Sequence, residues 1–413
     1  MSDACQRALE QLFSPEARAN PYPMYRQLRE NDPVYDTGQG LWLVTSYDAC
    51  YMLLRDDRIS KNFHTLADYE QNLALTGRDE TWLQGLIEQL ISFSDPPDHT
   101  RKRGLFQKTF TPRMVERLRP RVQELVDEHL DAMGDGEVDL IADFASRLPL
   151  AVVGEMLGMP RGDRELLRRW SLDLAPTFEV VLDPETVAQA EKGGAEFIEY
   201  FKQLTRERVR DPKDDLISAL AQVEEQGDRL TLEELVVNLI LLVGAGHETP
   251  MNLIGNGTLA LARNPGQLEL LRRKPEIMDD AIEELIRYDS PLQWTTRFPK
   301  APIDIDGRVI PAGTRVALVL AAANRDPKYF PDPDRLDLTR GIRNHVGFGG
   351  GLHYCMGNAL ARMEAGIIFK TLLERYPHIE LLTDTPEYQG TLLRRGVKSL
   401  PLRLETSARA AVA

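Results

Sequence analysis

Long stretches of this chain repeat their apolar residues every three to four positions, and the stretches between them follow no period. Residues 1–60 are mixed, with a helix expected near Pro23–Glu30 and a strand at Leu41–Thr45. Residues 61–95 lack a clean period and read as loop with short helices. From Thr111 the helical period becomes strong. Thr111 can cap and Pro112 suits a first turn. Val115, Leu118, Val122, Leu125, Val126 and Met133 then fall on one face, and further helices follow through Arg210.

Thr231-Leu-Glu-Glu234 is a capping-box sequence. It predicts a helix running to about Ala262, roughly 48 Å at 1.5 Å per residue. Its first half is apolar nearly all round (Leu235, Val236, Val237, Leu239 to Val243), so it should be buried. Another helix is expected over Glu276–Tyr288. A hairpin should follow, from Ile303–Ile305 and Val316–Leu320, with Asp306-Gly307 as the turn signal. Asn324–Gly351, rich in Pro, Asp, Arg and Gly, should be irregular. A last long helix begins near Cys355 and ends before Pro377. The class is mainly α with a minor β region.

Composition narrows the picture. The 413 residues are 42% hydrophobic, enough for a large core. No linker or internal repeat divides them, so residues 1–405 read as a single domain with a disordered tail at 406–413. Acidic residues outnumber basic ones, 64 to 50, for a formal charge of −14. That argues against nucleic acid as a partner, because phosphate binding needs a basic surface. The most apolar run, Leu235 to Gly246, is too short to span a membrane. The first residues have no signal-peptide core. The three cysteines, Cys5, Cys50 and Cys355, form no C-x-x-C pair and suit a reducing cytoplasm.

The sharpest chemical signal is Phe348-Gly-Gly-Gly351-Leu-His353-Tyr-Cys355-Met-Gly357. Glycines let the backbone approach a flat cofactor closely. Cys355 sits where that loop meets a helix N-terminus, whose unpaired amides favour a thiolate. An isolated cysteine there would more often be a buried structural residue.

This segment resembles the haem-binding signature of the cytochrome P450 family, F-x-x-G-x-[HR]-x-C-x-G. Phe348, Gly351, His353, Cys355 and Gly357 match every fixed position. The resemblance implies the cytochrome P450 fold, haem b (iron-protoporphyrin IX), and Cys355 as the iron's thiolate ligand. Phe348 would pack beside Cys355, and His353 would bond a haem propionate. A thiolate ligand favours O–O cleavage over reversible oxygen carriage. The likeness runs from about Pro21 to Leu404. Glu284-Leu-Ile-Arg287 looks like the family's E-x-x-R helix motif, and Arg335 in Phe330-Pro-Asp-Pro-Asp-Arg335 would complete a structural Glu284–Arg287–Arg335 network.

His99 and Arg103, spaced i,i+4, and Arg297 are similar to the family's propionate ligands. Gly244-Ala-Gly-His-Glu-Thr249 resembles its oxygen-activation segment, with Ala245, Gly246, Glu248 and Thr249 at the matching positions. The acid and hydroxyl would deliver two protons to oxygen. Two glycines and a proline in a buried helix disfavour it by about 1 kcal/mol per glycine and about 3 for the proline, and a groove for dioxygen explains that. His247 reads as a packing or solvent residue. Pro250 departs from many relatives and has no N–H for the carbonyl of Gly246.

The resemblance implies a monooxygenase that uses O2 and NAD(P)H on a lipophilic small molecule, a natural-product intermediate. No flavin or iron–sulfur signature is present, so electrons should come from a ferredoxin and an NAD(P)H-dependent ferredoxin reductase. Arg101, Lys102, Lys108, Arg113, Arg343 and Arg362 would form the basic docking patch. The rivals are an oxidative coupling enzyme forming C–C, C–N or C–O bonds, which product mass would reveal, and a haem sensor, which needs no Glu248-Thr249 pair. Specificity should lie in residues 61–95 and 171–190, around Leu292–Thr295 and around Thr391–Leu393. Trp294 and Phe178 are candidate pocket walls.

Overall fold

A computed structural model describes residues 3–67, 88–174, 184–224, 227–389 and 393–406. Phe178, Thr391 and residues 407–413 of the expected tail lie outside them, as do residues 68–87. The principal helices are α1 (Tyr47–Leu53), α2 (Asp98–Thr109), α3 (Pro112–Met133), α4 (Leu148–Met156), α5 (Arg164–Leu174), α6 (Pro184–Arg210), α7 (Leu232–Arg263), α8 (Met278–Tyr288) and α9 (Asn358–Arg375). The strands are short: β1 (Val34–Asp36), β2 (Leu41–Val44), β3 (Ile59–Ser60), β4 (Gly136–Asp139), β5 (Thr295–Pro299), β6 (Ile303–Ile305), β7 (Arg308–Ile310), β8 (Arg315–Leu318), β9 (His378–Leu381) and β10 (Pro401–Glu405). The fold is mainly helical, as the periodicity predicts.

The chain divides into two compact units. One contains Met1–Ile59, Arg119–Leu148 and Thr249–Ala413, the other Ser60–Leu118 and Pro149–Glu248. In the first, the largest sheet orders its strands β1-β2-β8-β5, with Ile59 of β3 at the edge. β8 pairs in parallel with β2 and antiparallel with β5, so Val316 stands between Trp42 and Arg297. The strand that carries Arg297 is thereby fixed from one side by backbone pairing.

Local sequence sets the helix ends. The Glu234 N–H donates to Thr231 Oγ1 (3.1 Å), and the Thr231 N–H donates back to Glu234 Oε2 (2.9 Å). That reciprocal pair starts α7 at Leu232, and the helix ends one residue past the expected Ala262. Thr111 caps α3 by accepting from the Met114 N–H at 3.2 Å. On α3, Val115, Val122, Leu125 and Val126 are buried, whereas Leu118 and Met133 are only partly so.

The hairpin differs from expectation. Asp306 (φ 52°) and Gly307 (φ 82°) both take the left-handed conformation of a two-residue turn. A turn that tight returns the chain at once, so β6 pairs with β7, Ile303 facing Ile310. Val316–Leu318 belongs instead to β8 in the larger sheet.

Candidate active site

Within the first unit, the glycine loop and Cys355 are held by backbone geometry. Gly351 has φ 62°, and a Cβ there would collide with the Leu54 carbonyl oxygen just past α1. No other residue fits that approach. The Cys355 N–H donates to the Phe348 carbonyl at 2.9 Å, and Asn358 Nδ2 donates to the Cys355 carbonyl at 2.7 Å. Gly357 caps α9, so the cysteine precedes the helix by three residues. Cys5 and Cys50 are fully buried, and burial pushes the Cys50 thiol well above its ordinary value. Cys355 is the only one of the three with partial exposure.

Beneath the loop lies a cluster that sequence reasoning missed. Glu283 of α8 accepts from Arg362 of α9 (Nη2 at 3.1 Å) and from His345 Nε2 at 2.9 Å. The Gly347 N–H donates to His345 Nδ1 at 3.1 Å, so the ring proton sits on Nε2 and points at the carboxylate. The Arg362 guanidinium lies 4.4 Å from the Phe348 ring centroid. Burial alone would raise the Glu283 carboxyl, but His345 and Arg362 outweigh it and hold it at about 2. Glu364, on α9, shows the converse: burial pushes it up to about 8.

The neighbouring network also differs in one member. Arg287 donates to both oxygens of Glu284, at 2.7 and 2.8 Å. The second cation on Glu284 is Arg340, whose Nε lies 3.2 Å from each oxygen. Arg335 turns outward to Asp337 (3.0 Å) and is 67% exposed. It contributes its backbone carbonyl, which accepts from Arg340 at 3.0 Å. The irregular segment between these two arginines reverses direction, and sequence order alone does not say which one returns to α8.

Arg297 is buried on β5, and its Nη1 donates to Thr295 Oγ1 (2.8 Å) and the Thr296 carbonyl (2.9 Å). His353 closes the turn Gly351–His353 and is partly exposed. In the second unit, His99 and Arg103 share one side of α2. His99 is buried, and that burial, followed by the Arg103 charge, pushes its imidazole below the ordinary range. Trp294 is partly buried, packs against the core and donates to the Tyr25 hydroxyl at 2.9 Å.

Helix α7 is buried at Leu235–Val237, Leu239 and Val243 and again from Met251. Between them Ala245 is exposed, and Gly244, Gly246, Glu248 and Thr249 are partly exposed. His247 is buried and shares a 2.8 Å hydrogen bond with Ser171, so the packing role holds and the solvent role does not. A partly exposed cysteine just before a helix, and Gly357, where a Cβ would meet nothing within 4 Å, suit a flat ring bound by a thiolate.

The Cytochrome P450 family profile matches residues 171–398. The cytochrome P450 monooxygenase PikC of Streptomyces venezuelae is 41% identical over 397 residues, covering 93% of this chain and 91% of PikC. The 6-deoxyerythronolide B hydroxylase of Saccharopolyspora erythraea is 39% identical, covering 93% and 96%. The structure of P450BioI in complex with hexadec-9Z-enoic acid ligated acyl carrier protein superposes with a TM-score of 0.86 at 36% identity, over 95% of this chain and 99% of that one. This chain belongs to the cytochrome P450 family.

The P450 is thus an oxidoreductase, a monooxygenase that uses haem iron, O2 and electrons from a redox partner. The basic patch expected to receive that partner is largely balanced by the chain's own acids. Lys102 is 2% exposed and pairs with Asp98 at 2.6 Å, so it cannot dock anything. Arg101 pairs with Asp98 and Glu234, Arg343 with Asp280 at 2.8 Å, and Arg362 with Glu283. Lys108 and Arg113 are exposed. Among the described residues no helix is long and apolar enough to cross a membrane.

Proposed function

We propose that this P450 binds haem b, acts as one domain over residues 1–405, and inserts one oxygen atom into a lipophilic natural-product intermediate in the cytoplasm. The asymmetry among the cysteines carries the reading: Cys355 is partly exposed at a helix N-terminus, while Cys5 and Cys50 are sealed. Cys355 is the thiolate ligand. His99, Arg103, Arg297 and His353 hold the propionates, Phe348 flanks the thiolate, and Gly357 keeps clear the space for the ring. Bound haem supplies the iron at which dioxygen is reduced and cleaved. Glu248 and Thr249 move protons toward it, Thr249 by holding a water on its hydroxyl, and Ala245 and Gly246 leave room beside them.

A ferredoxin and an NAD(P)H-dependent ferredoxin reductase supply the electrons, since the chain has no flavin or iron–sulfur signature. The lipophilic substrate rests on the relative named for hydroxylating 6-deoxyerythronolide B and on the related structure that holds a long acyl chain. Three free cysteines suit a reducing cytoplasm. The test loads the protein with haem b and reads two things. The first is the red-shifted carbon monoxide band of a thiolate-bound haem. The second is the low-to-high-spin shift with hexadec-9Z-enoic acid and with 6-deoxyerythronolide B. A haem-loaded protein without that band overturns the thiolate assignment. A product two hydrogens lighter, in place of one oxygen heavier, overturns insertion.

A further inference from the structure

His247 is the polar side chain of the Gly244–Thr249 segment that the proposed chemistry leaves unused, and it is the most buried residue there, 5% exposed. Its Nδ1 lies 2.8 Å from the Ser171 hydroxyl of α5, which is 8% exposed. One residue earlier, a Cβ on Gly246 would stand 2.8 Å from Val153 Cγ2 of α4, so α4 is packed hard against the helix at that point. Both contacts lie within the same unit.

They coincide with the weakest part of α7. Pro250 gives no N–H to the Gly246 carbonyl, and Gly244 and Gly246 are the poorest helix formers after proline. Across this interval the helix keeps its phase with one backbone hydrogen bond fewer. Any rotation there would swing Glu248 and Thr249, and misplacing a catalytic group by 1 Å can cost roughly a hundredfold in rate. A side-chain bond from the residue just before Glu248 to a neighbouring helix opposes that rotation directly.

We propose that the His247–Ser171 hydrogen bond is a brace that holds α7 in phase across its proline break, making His247 and Ser171 positioning residues for Glu248 and Thr249. The proposal rests on the reading of Glu248 and Thr249 as the proton-delivery pair. The brace has a structural consequence and a chemical one. Without it, the backbone of residues 244–250 should open more often, and proton delivery should fail more often, releasing oxygen as hydrogen peroxide.

The experiment compares wild type, Ser171→Ala, Pro250→Thr, the double variant and Thr249→Ala, all haem-loaded. Amide hydrogen exchange is read on the peptide spanning residues 240–251. Hydrogen peroxide per NADPH is read with a plant-type ferredoxin and its reductase, without added substrate. Ser171→Ala should speed exchange in that peptide by about threefold to tenfold, the span of one net hydrogen bond. It should at least double the peroxide share and leave the carbon monoxide band unchanged. Pro250→Thr restores the missing donor, so in the double variant both readouts should return toward wild type. Unchanged exchange in Ser171→Ala overturns the brace, as does faster exchange that Pro250→Thr fails to relieve. If Thr249→Ala leaves the peroxide share unchanged while exchange behaves as expected, the proton-delivery reading falls and the brace stands.

Discussion

The Cys355 loop and the Ala245–Thr249 stretch of α7 both belong to the proposed site, yet they are held in opposite ways. The loop has only short-range backbone bonds of its own, such as Cys355 N–H to the Phe348 carbonyl. It is fixed by distant groups: the Leu54 carbonyl against Gly351, Asn324 Oδ1 accepting from the Val346 N–H at 2.8 Å, and Glu283 with His345 and Arg362 beneath Phe348. The helical stretch supplies most of its own hydrogen bonds and is weakened at one proline. A loop built this way should lose its shape when a remote anchor is removed. A helix should show changes near the site of substitution only.

The largest effect is expected at the cysteine itself. Cys355→His should abolish the red-shifted carbon monoxide band and all turnover while the fold persists, because Cys355 is partly exposed and fills no core position. A surviving band would mean that the thiolate comes from elsewhere. Next come the anchors. Glu284→Ala should destabilise the protein by about 3–5 kcal/mol, because it leaves Arg287 and Arg340 buried without their carboxylate. Arg335→Ala, at the position that sequence alone would choose, should change stability by no more than about 0.5 kcal/mol, since that side chain is exposed. Urea unfolding of both variants checks the pair. Equal losses would restore Arg335 to the network.

These two arginines mark where the sequence stops being legible. The start of α7 and the cap of α3 follow from residues three positions apart, so local chemistry decides them. The loop glycines read clearly because Gly349 and Gly351 take positive φ, which few residue types tolerate. The partner of β6 differs from expectation because Val316–Leu320 is the stronger continuous apolar run, while the tight Asp306-Gly307 turn returns the chain onto the more polar Arg308–Ile310. The Glu283 cluster joins residues 62 and 79 positions apart, and no local pattern marks it. Its one trace is the doublet Glu283-Glu284. The pattern puts both carboxylates on the polar face with Asp279, Asp280 and Arg287 and so predicts solvent there, but they are buried and each needs its own cations.

Glu283 sharpens the comparison through pH. Its carboxyl stands at about 2 in the folded protein against an ordinary 4.5. A depressed acid stabilises the fold above its unfolded value, and that stability is lost as pH falls from about 4.5 toward 2. The whole span corresponds to about 3 kcal/mol, of which about 2 should vanish between pH 6 and pH 3. Glu283→Gln should be less stable than wild type at pH 6 and lose less on acidification. Parallel stability curves for the two proteins would show that this anchor does not depend on the charge.

The smallest expected effect falls on the helix. Thr249→Ala removes one hydroxyl from a partly exposed position on α7 and replaces threonine with a better helix former. Its unfolding free energy should therefore stay within about 0.5 kcal/mol of wild type. Substrate binding, read by the spin shift, should also be unchanged. The loss should appear in how oxygen is used: without the hydroxyl the relay water is no longer held, and a severalfold larger share of NAD(P)H should end as hydrogen peroxide. Glu248→Gln should differ in kind, slowing turnover more than it loosens coupling, because it removes the acid and keeps the shape. Product yield per NAD(P)H that is the same in Thr249→Ala as in wild type would take this residue out of the mechanism. A large loss of stability in the same variant would instead place the hydroxyl among the groups that hold the helix, and the contrast with the loop would disappear.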